Sequence, residues 1–208
     1  MGIGVLGLAA LSVVGSLNPN GTTGTLGYGQ EVPYGTYSKN LPARHPPPIL
    51  LGDMYGKTAQ SSSDASSLSG MTVKTTQQLP SNTELKMIKT RIEPDTQFKM
   101  VTSIYAPKQI RINENSTFAD VMDYNGLIIV QTKEQPNFDI SKWIDEYGTQ
   151  TPGASFVTVH GKKAIGISGD PMLGQRSQII YYDKDVQVIL VSVGHKMHEL
   201  LKMAESMP

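Results

Sequence analysis

No cysteine occurs in the 208 residues of the chain. That excludes disulfides, thiol catalysis and cysteine-ligated metal together, so any folded part must hold by its core alone. Charge is sparse as well: Asp, Glu, Lys and Arg make up 17% of the residues, below the usual quarter, and 18 basic side chains balance 18 acidic ones. Without a basic excess, no nucleic-acid partner is expected. Aromatic residues are few, with Trp143 the one tryptophan. Ser, Thr, Gly and Asn fill the difference, as they do on extracellular surfaces solvated by neutral polar groups.

Charge is most completely missing at the N-terminus, where the first thirty residues carry none. Residues 2–17 (GIGVLGLAALSVVGSL) are almost wholly apolar or small. As a helix this run spans roughly 24 Å, short of the ~30 Å hydrocarbon core, and Asn18-Pro19-Asn20-Gly21 ends any helix. A comfortable membrane span is therefore not available to it. Three uses remain. The run is the apolar part of a secretory signal, with Val14-Gly15-Ser16 as small residues for cleavage, although the usual basic flank is missing. Otherwise it is retained as an anchor or pilin-like helix, giving membrane contact through residues 2–17. Its glycines (Gly2, Gly4, Gly7, Gly15) and its Val, Ile and Leu content also allow an extended strand that completes a neighbour's sheet. In a retained, assembling segment, Ile3, Val5, Leu6, Leu8, Leu11, Val13 and Val14 supply the apolar contact between subunits.

Residues 18–70 read as an arm or linker. Pro33, Pro42 and Pro46-Pro47-Pro48 favour extended backbone, and Ser61 to Ser67 reads as a flexible tract. Tyr28, Tyr34, Tyr37 and Tyr55 are scattered aromatics in that arm, and Pro46 to Leu51 is the stretch expected to dock.

Residues 71–208 read as the globular domain. Alternating apolar and polar residues mark strands at 98–105, 126–132, 156–160, 164–167, 178–182 and 186–193, with hairpins turning at Gly161 and at Asp183-Lys184-Asp185. Two helices interrupt them. Asp139 caps one, with Ile140, Trp143, Ile144 and Tyr147 on one face and Gly148 as its stop. The other runs from about Lys196 to Ser206 on Met197, Leu200, Leu201 and Ala204. The expected fold class is α+β: a meander of five to seven antiparallel strands with both short helices on one face, preceded by the extended N-terminal arm.

His195 and His198, followed by Glu199, are the weak metal candidates, since i and i+3 on a helix share a face. A further ligand would have to come from elsewhere, His160 or Asp170 for example, so no metal or other cofactor is expected; His45 reads as a linker residue. Gly166-Ile167-Ser168-Gly169-Asp170 fails as a nucleophile elbow because Asp170 stands where glycine is required. Asp145 and Glu146 are adjacent in a helix and point apart, so they make no glycosidase pair. Gly2-x-Gly4-x-x-Gly7 has no preceding strand and is no cofactor loop. Asn20 and Asn115 head glycosylation sequons.

The pieces Leu79-Pro80, Gly126 to Gln131, Trp143 in a helix, Val159-His160-Gly161-Lys162-Lys163-Ala164 and Leu200 to Met207 come in a telling order. In this, residues 79–208 resemble a domain of unknown function found in exported or membrane-anchored bacterial and archaeal proteins, some of them regulators of envelope stress. The resemblance implies an α+β module outside the cytoplasm and carries no catalytic residues across. The expectation is a non-enzymatic, extracytoplasmic structural or binding protein of the cell envelope, self-associating or bound to another envelope protein. The alternative is a secreted monomeric ligand-binding or regulatory domain with a cleaved signal.

Overall fold

The computed structural model describes residues 50–208 apart from 55, 94–97, 135–136, 171 and 173. The apolar positions of residues 2–17, the sequon at Asn20 and His45 lie outside the described residues. Strands β1 (Lys57–Ala59), β2 (Thr83–Glu93), β3 (Phe98–Pro107) and β4 (Leu127–Lys133) form one meander. A second consists of β5 (Ala154–Val159), β6 (Lys162–Ile167), β7 (Ser177–Asp183) and β8 (Val186–Ser192). The order β1-β2-β3-β4-β8-β7-β6-β5 joins them into one eight-stranded sheet through central β4 and β8 and leaves β1 and β5 at the edges. Every pairing is antiparallel. The chain is thus an α+β protein built on an antiparallel meander sheet. Its helices are α1 (Leu51–Met54), α2 (Ser62–Ser69), α3 (Phe118–Asp123), α4 (Ile140–Gln150) and α5 (Met197–Glu205).

The central strands are buried on both faces. Leu127, Ile128, Ile129 and Val130 of β4 and Val188, Ile189, Leu190 and Val191 of β8 are all within 2% of full burial. Each such side chain contributes about 1.5–3 kcal/mol when withdrawn from water. Successive strand residues face opposite ways, and β7 shows what this does. Tyr181 packs in a cluster with Leu200, Met203 and Ala204 of α5. Tyr182 instead meets Trp143 of α4 edge-on, with ring centroids 5.6 Å apart. The two helices therefore cover opposite faces, where one shared face was expected. Periodicity shows which stripe of a helix is apolar, but not which side of a doubly buried sheet the chain crosses.

The domain also begins earlier than residue 71, the compact unit running from Ile49 to Pro208. Leu51 is fully buried, and its N–H donates to the Ser116 carbonyl at 2.8 Å. The serine-rich tract expected to be flexible is helix α2. Ser61 caps it by accepting the Asp64 N–H at 3.1 Å, and Gly70 closes it in the left-handed region at φ 63°. Its hydroxyls turn back onto its own carbonyls, Ser66 to Ser62 and Ser69 to Ala65. Satisfied in this way, Ala65 and Ser69 can be buried on the sheet beside Ile88 and Val101.

Strand β2 carries five charged side chains in eleven residues and a register shift between Leu85 and Met87. A bulge breaks the two-residue period, which is why no strand was legible there. Gly148 does not stop α4, which continues to Gln150. Its role is contact: a Cβ there would lie 2.5 Å from the Phe156 ring. Across the sheet, Gln131 is fully buried and pairs its side-chain amide with the Lys74 backbone, accepting at 2.8 Å and donating at 2.9 Å. One side chain thereby holds the segment before β2 against the sheet.

Candidate functional site

The structure places the residues that sequence singled out for chemistry apart from one another, several of them in structural contacts. His195 is 8% exposed, and its Nδ1 lies 2.7 Å from the hydroxyl of fully buried Ser192. Ser192 donates its one proton to the Gly126 carbonyl at 2.8 Å. The imidazole must then supply the other proton, with Nδ1–H donating to Ser192. A serine hydroxyl committed to a carbonyl and shielded from solvent is no activated nucleophile; the arrangement ties the end of β8 to the start of β4. Burial holds His195 below its ordinary pKa, with the Glu199 carboxylate pulling the other way.

His198 is exposed on α5, whereas Glu199 accepts the Lys196 N–H at 2.8 Å at the start of that helix. Among the described residues no three His, Asp or Glu side chains gather as a metal set. His160 sits in the β5–β6 turn at φ 51°, and Asp170 is an exposed loop residue that accepts the Met172 N–H at 2.9 Å. Asp145 and Glu146 pair separately, with Lys163 at 2.5 Å and Lys142 at 3.8 Å. Asn115 is exposed in the loop before α3, its N–H donating to Asn113 Oδ1 at 2.9 Å.

Two features were not read from sequence. The first is a pocket of about 340 Å³ lined by Lys133, Glu134, Asn137, Phe138, Ile140, Lys184 and Asp185. It lies where β4 and the β7–β8 turn meet the start of α4. Phe138 and Ile140 give it apolar walls, and Lys133 is 3.3 Å from Asp185. Glu134 accepts from the Tyr182 hydroxyl at 3.1 Å, which in turn accepts from Gln187 Nε2 at 2.6 Å. Burial raises the Glu134 carboxyl above its usual range, and the Tyr182 hydrogen bond partly offsets it. Behind Tyr182, the directly paired Thr132 and Gln187 leave Oγ1 and Oε1 without a hydrogen-bond partner.

The second is the β5 edge. A two-residue loop, His160-Gly161, joins β5 to β6, with Val159 opposite Lys162. The residues flanking such a loop exchange hydrogen bonds, and bonding then alternates along the ladder. Val159, Val157 and Ser155 therefore bond to β6, whereas Ala154, Phe156 and Thr158 turn their N–H and C=O groups outward. The Ala154 N–H is taken by the Thr151 carbonyl at 3.1 Å, and beyond Thr158 the His160 N–H donates to Glu205 at 2.9 Å. Between them Phe156 and Thr158 present an open stretch of backbone, and Phe156 is 46% exposed. Its ring lies 3.7 Å beneath Lys163 Nζ.

The two edges differ. Strand β1 has three residues and begins with Lys57, and Thr58 is tied to Glu114 at 2.5 Å. Strand β5 (ASFVTV) has six, with no charge and no proline. Short length, lysine and proline are the common means of blunting an edge, and β5 uses none of the three. Compared with known proteins, the chain matches no family model, no curated protein and no solved structure. A functional reading rests on these surfaces and on the composition of the chain.

Proposed function

We propose that the protein is a non-enzymatic structural or binding component of the cell envelope, working outside the cytoplasm and associating with copies of itself or with another envelope protein. The observation that carries this reading is the uncharged apolar stretch 2–17, too short to cross a membrane comfortably, on a chain whose domain has an unblunted sheet edge at β5. The sparse charge and the plentiful Ser, Thr, Gly and Asn support the same location. In this reading residues 2–17 make the contact between subunits.

The test is deletion of residues 2–17. Loss of assembly, read by light scattering, with cooperative unfolding of the domain intact supports the reading. Assembly that survives the deletion refutes it.

A second reading is a secreted monomer that binds a ligand or regulates a partner after its signal is removed, with the half-open recess beside Glu134 as its candidate surface. Intact mass of the native protein separates the two. Loss of about sixteen residues supports the secreted monomer, and retention supports assembly.

A further inference from the structure

We infer that β5 is the acceptor edge for this assembly, and that its occupant is the apolar segment 2–17 of a second copy, added as a ninth strand. The inference rests on the assembly reading above and names the surface that reading leaves open.

The backbone requirement is met by the outward groups of Phe156 and Thr158 and by the Ala154 carbonyl, whose register leaves them unused within the domain. The side-chain requirement is more selective. Helix α4 approaches β5 from one face, where Gly148 touches Phe156. Helix α5 approaches from the other, where Met197 and Val157 converge over Gly166. A strand placed next to β5 therefore meets an apolar side chain on each face, Phe156 beneath Lys163 on one and Val157 on the other. Strands buried on both faces read as continuous hydrophobic runs, whereas half-exposed strands alternate with polar residues. Residues 3–14 have that continuous character: Ile3, Val5, Leu11 and Val13 fall on one face, Leu6, Leu8 and Val14 on the other. Ser12 is the one polar residue among those twelve, whereas two of the six residues of β5, Ser155 and Thr158, are polar, so pairing of β5 with its own copy fits the slot less well.

Length permits the exchange. The chain enters the domain at Leu50, bridged to Thr117 at the far side of the strand order from β5. The sheet is roughly 34 Å across its strands, and residues 18–48 reach up to about 100 Å when extended. A segment can thus leave its own domain and reach another.

The experiment uses the full chain with Thr158→Pro, which removes an outward N–H that the domain does not use, and with Phe156→Lys, which blunts the edge with charge. Circular dichroism and Trp143 fluorescence report folding, so if one variant fails to fold the other carries the test. Both folded variants are expected to stay monomeric at concentrations at least tenfold above those at which the wild-type chain assembles. Mixing Thr158→Pro, which keeps its donor, with a chain lacking residues 2–17, which keeps its acceptor, is expected to give a 1:1 heterodimer and nothing longer. The deleted chain suits this purpose because the unit from Ile49 to Pro208 has its own core.

If assembly is lost on deletion but unchanged in both edge variants, the β5 assignment is overturned and the assembly reading stands. Loss in the edge variants with none on deletion shows β5 pairing with something other than residues 2–17, which overturns both. A monomeric wild-type chain also overturns both.

Discussion

His195 and Ser192 hold each other at 2.7 Å, with the serine proton passed on to the carbonyl of Gly126 on the neighbouring strand. Both side chains are buried, so neither can exchange this partner for water. Replacing Ser192 by Ala orphans a carbonyl and an imidazole N–H together. The expected loss is about 1–3 kcal/mol, read as a lower urea midpoint with an unchanged slope. A midpoint equal to wild type would show that the contact carries no stability.

The same contact sets a pH dependence. Burial holds His195 below 6.5 in the folded state, so the unfolded chain binds the proton more tightly. Stability from this group is fully present above pH 6.5 and declines as the pH falls toward the depressed folded value. The stability gap between wild type and His195→Gln is therefore expected to narrow from about pH 7.5 to about pH 5. Denaturation curves at several pH values measure it, and a constant gap contradicts the assignment.

Lys184 turns the β7–β8 hairpin at φ 55°, a left-handed conformation that costs a side-chain-bearing residue about 1 kcal/mol. Lys184→Gly is expected to raise stability, by up to about 1 kcal/mol once the greater freedom of glycine in the unfolded chain is deducted. Thermal unfolding tests the sign, and a lower midpoint would refute the strain argument.

Asn115 is exposed in its loop and heads a sequon. Expression in a host with N-glycosylation is expected to add a glycan that Asn115→Gln removes, visible in intact mass. The substitution itself should alter stability by no more than about 0.5 kcal/mol, as expected for an exposed position. An unmodified mass in such a host would show the sequon unused.

Sequence by itself determined the parts governed by local physics. Short apolar runs, alternating in the outer strands and continuous in β4 and β8, placed β3 to β8 between their turn residues, because each strand has to bury at least one face. Asp139 set the start of α4, its side chain accepting the Lys142 N–H at 3.0 Å. The α+β class followed from those elements. Local signals misled where a neighbour elsewhere in the chain decides the outcome. The serines of α2 look like a flexible tract until their hydroxyls bond back within a helix pressed on β1, β2 and β3. Gly148 looks like a helix stop until the Phe156 ring occupies the place of its side chain.

Of the candidate site, sequence supplied the apolar character of residues 2–17, because composition is a property of the chain alone. Only the tertiary structure decided that β5 is an edge, that Phe156 and Thr158 turn their backbone groups outward, and that α4 and α5 flank it from opposite faces. The physical reason is the joining of the two meanders through β4 and β8. That pairing between distant segments consumes the hydrogen bonds of the central strands and leaves those of β5 open on one side.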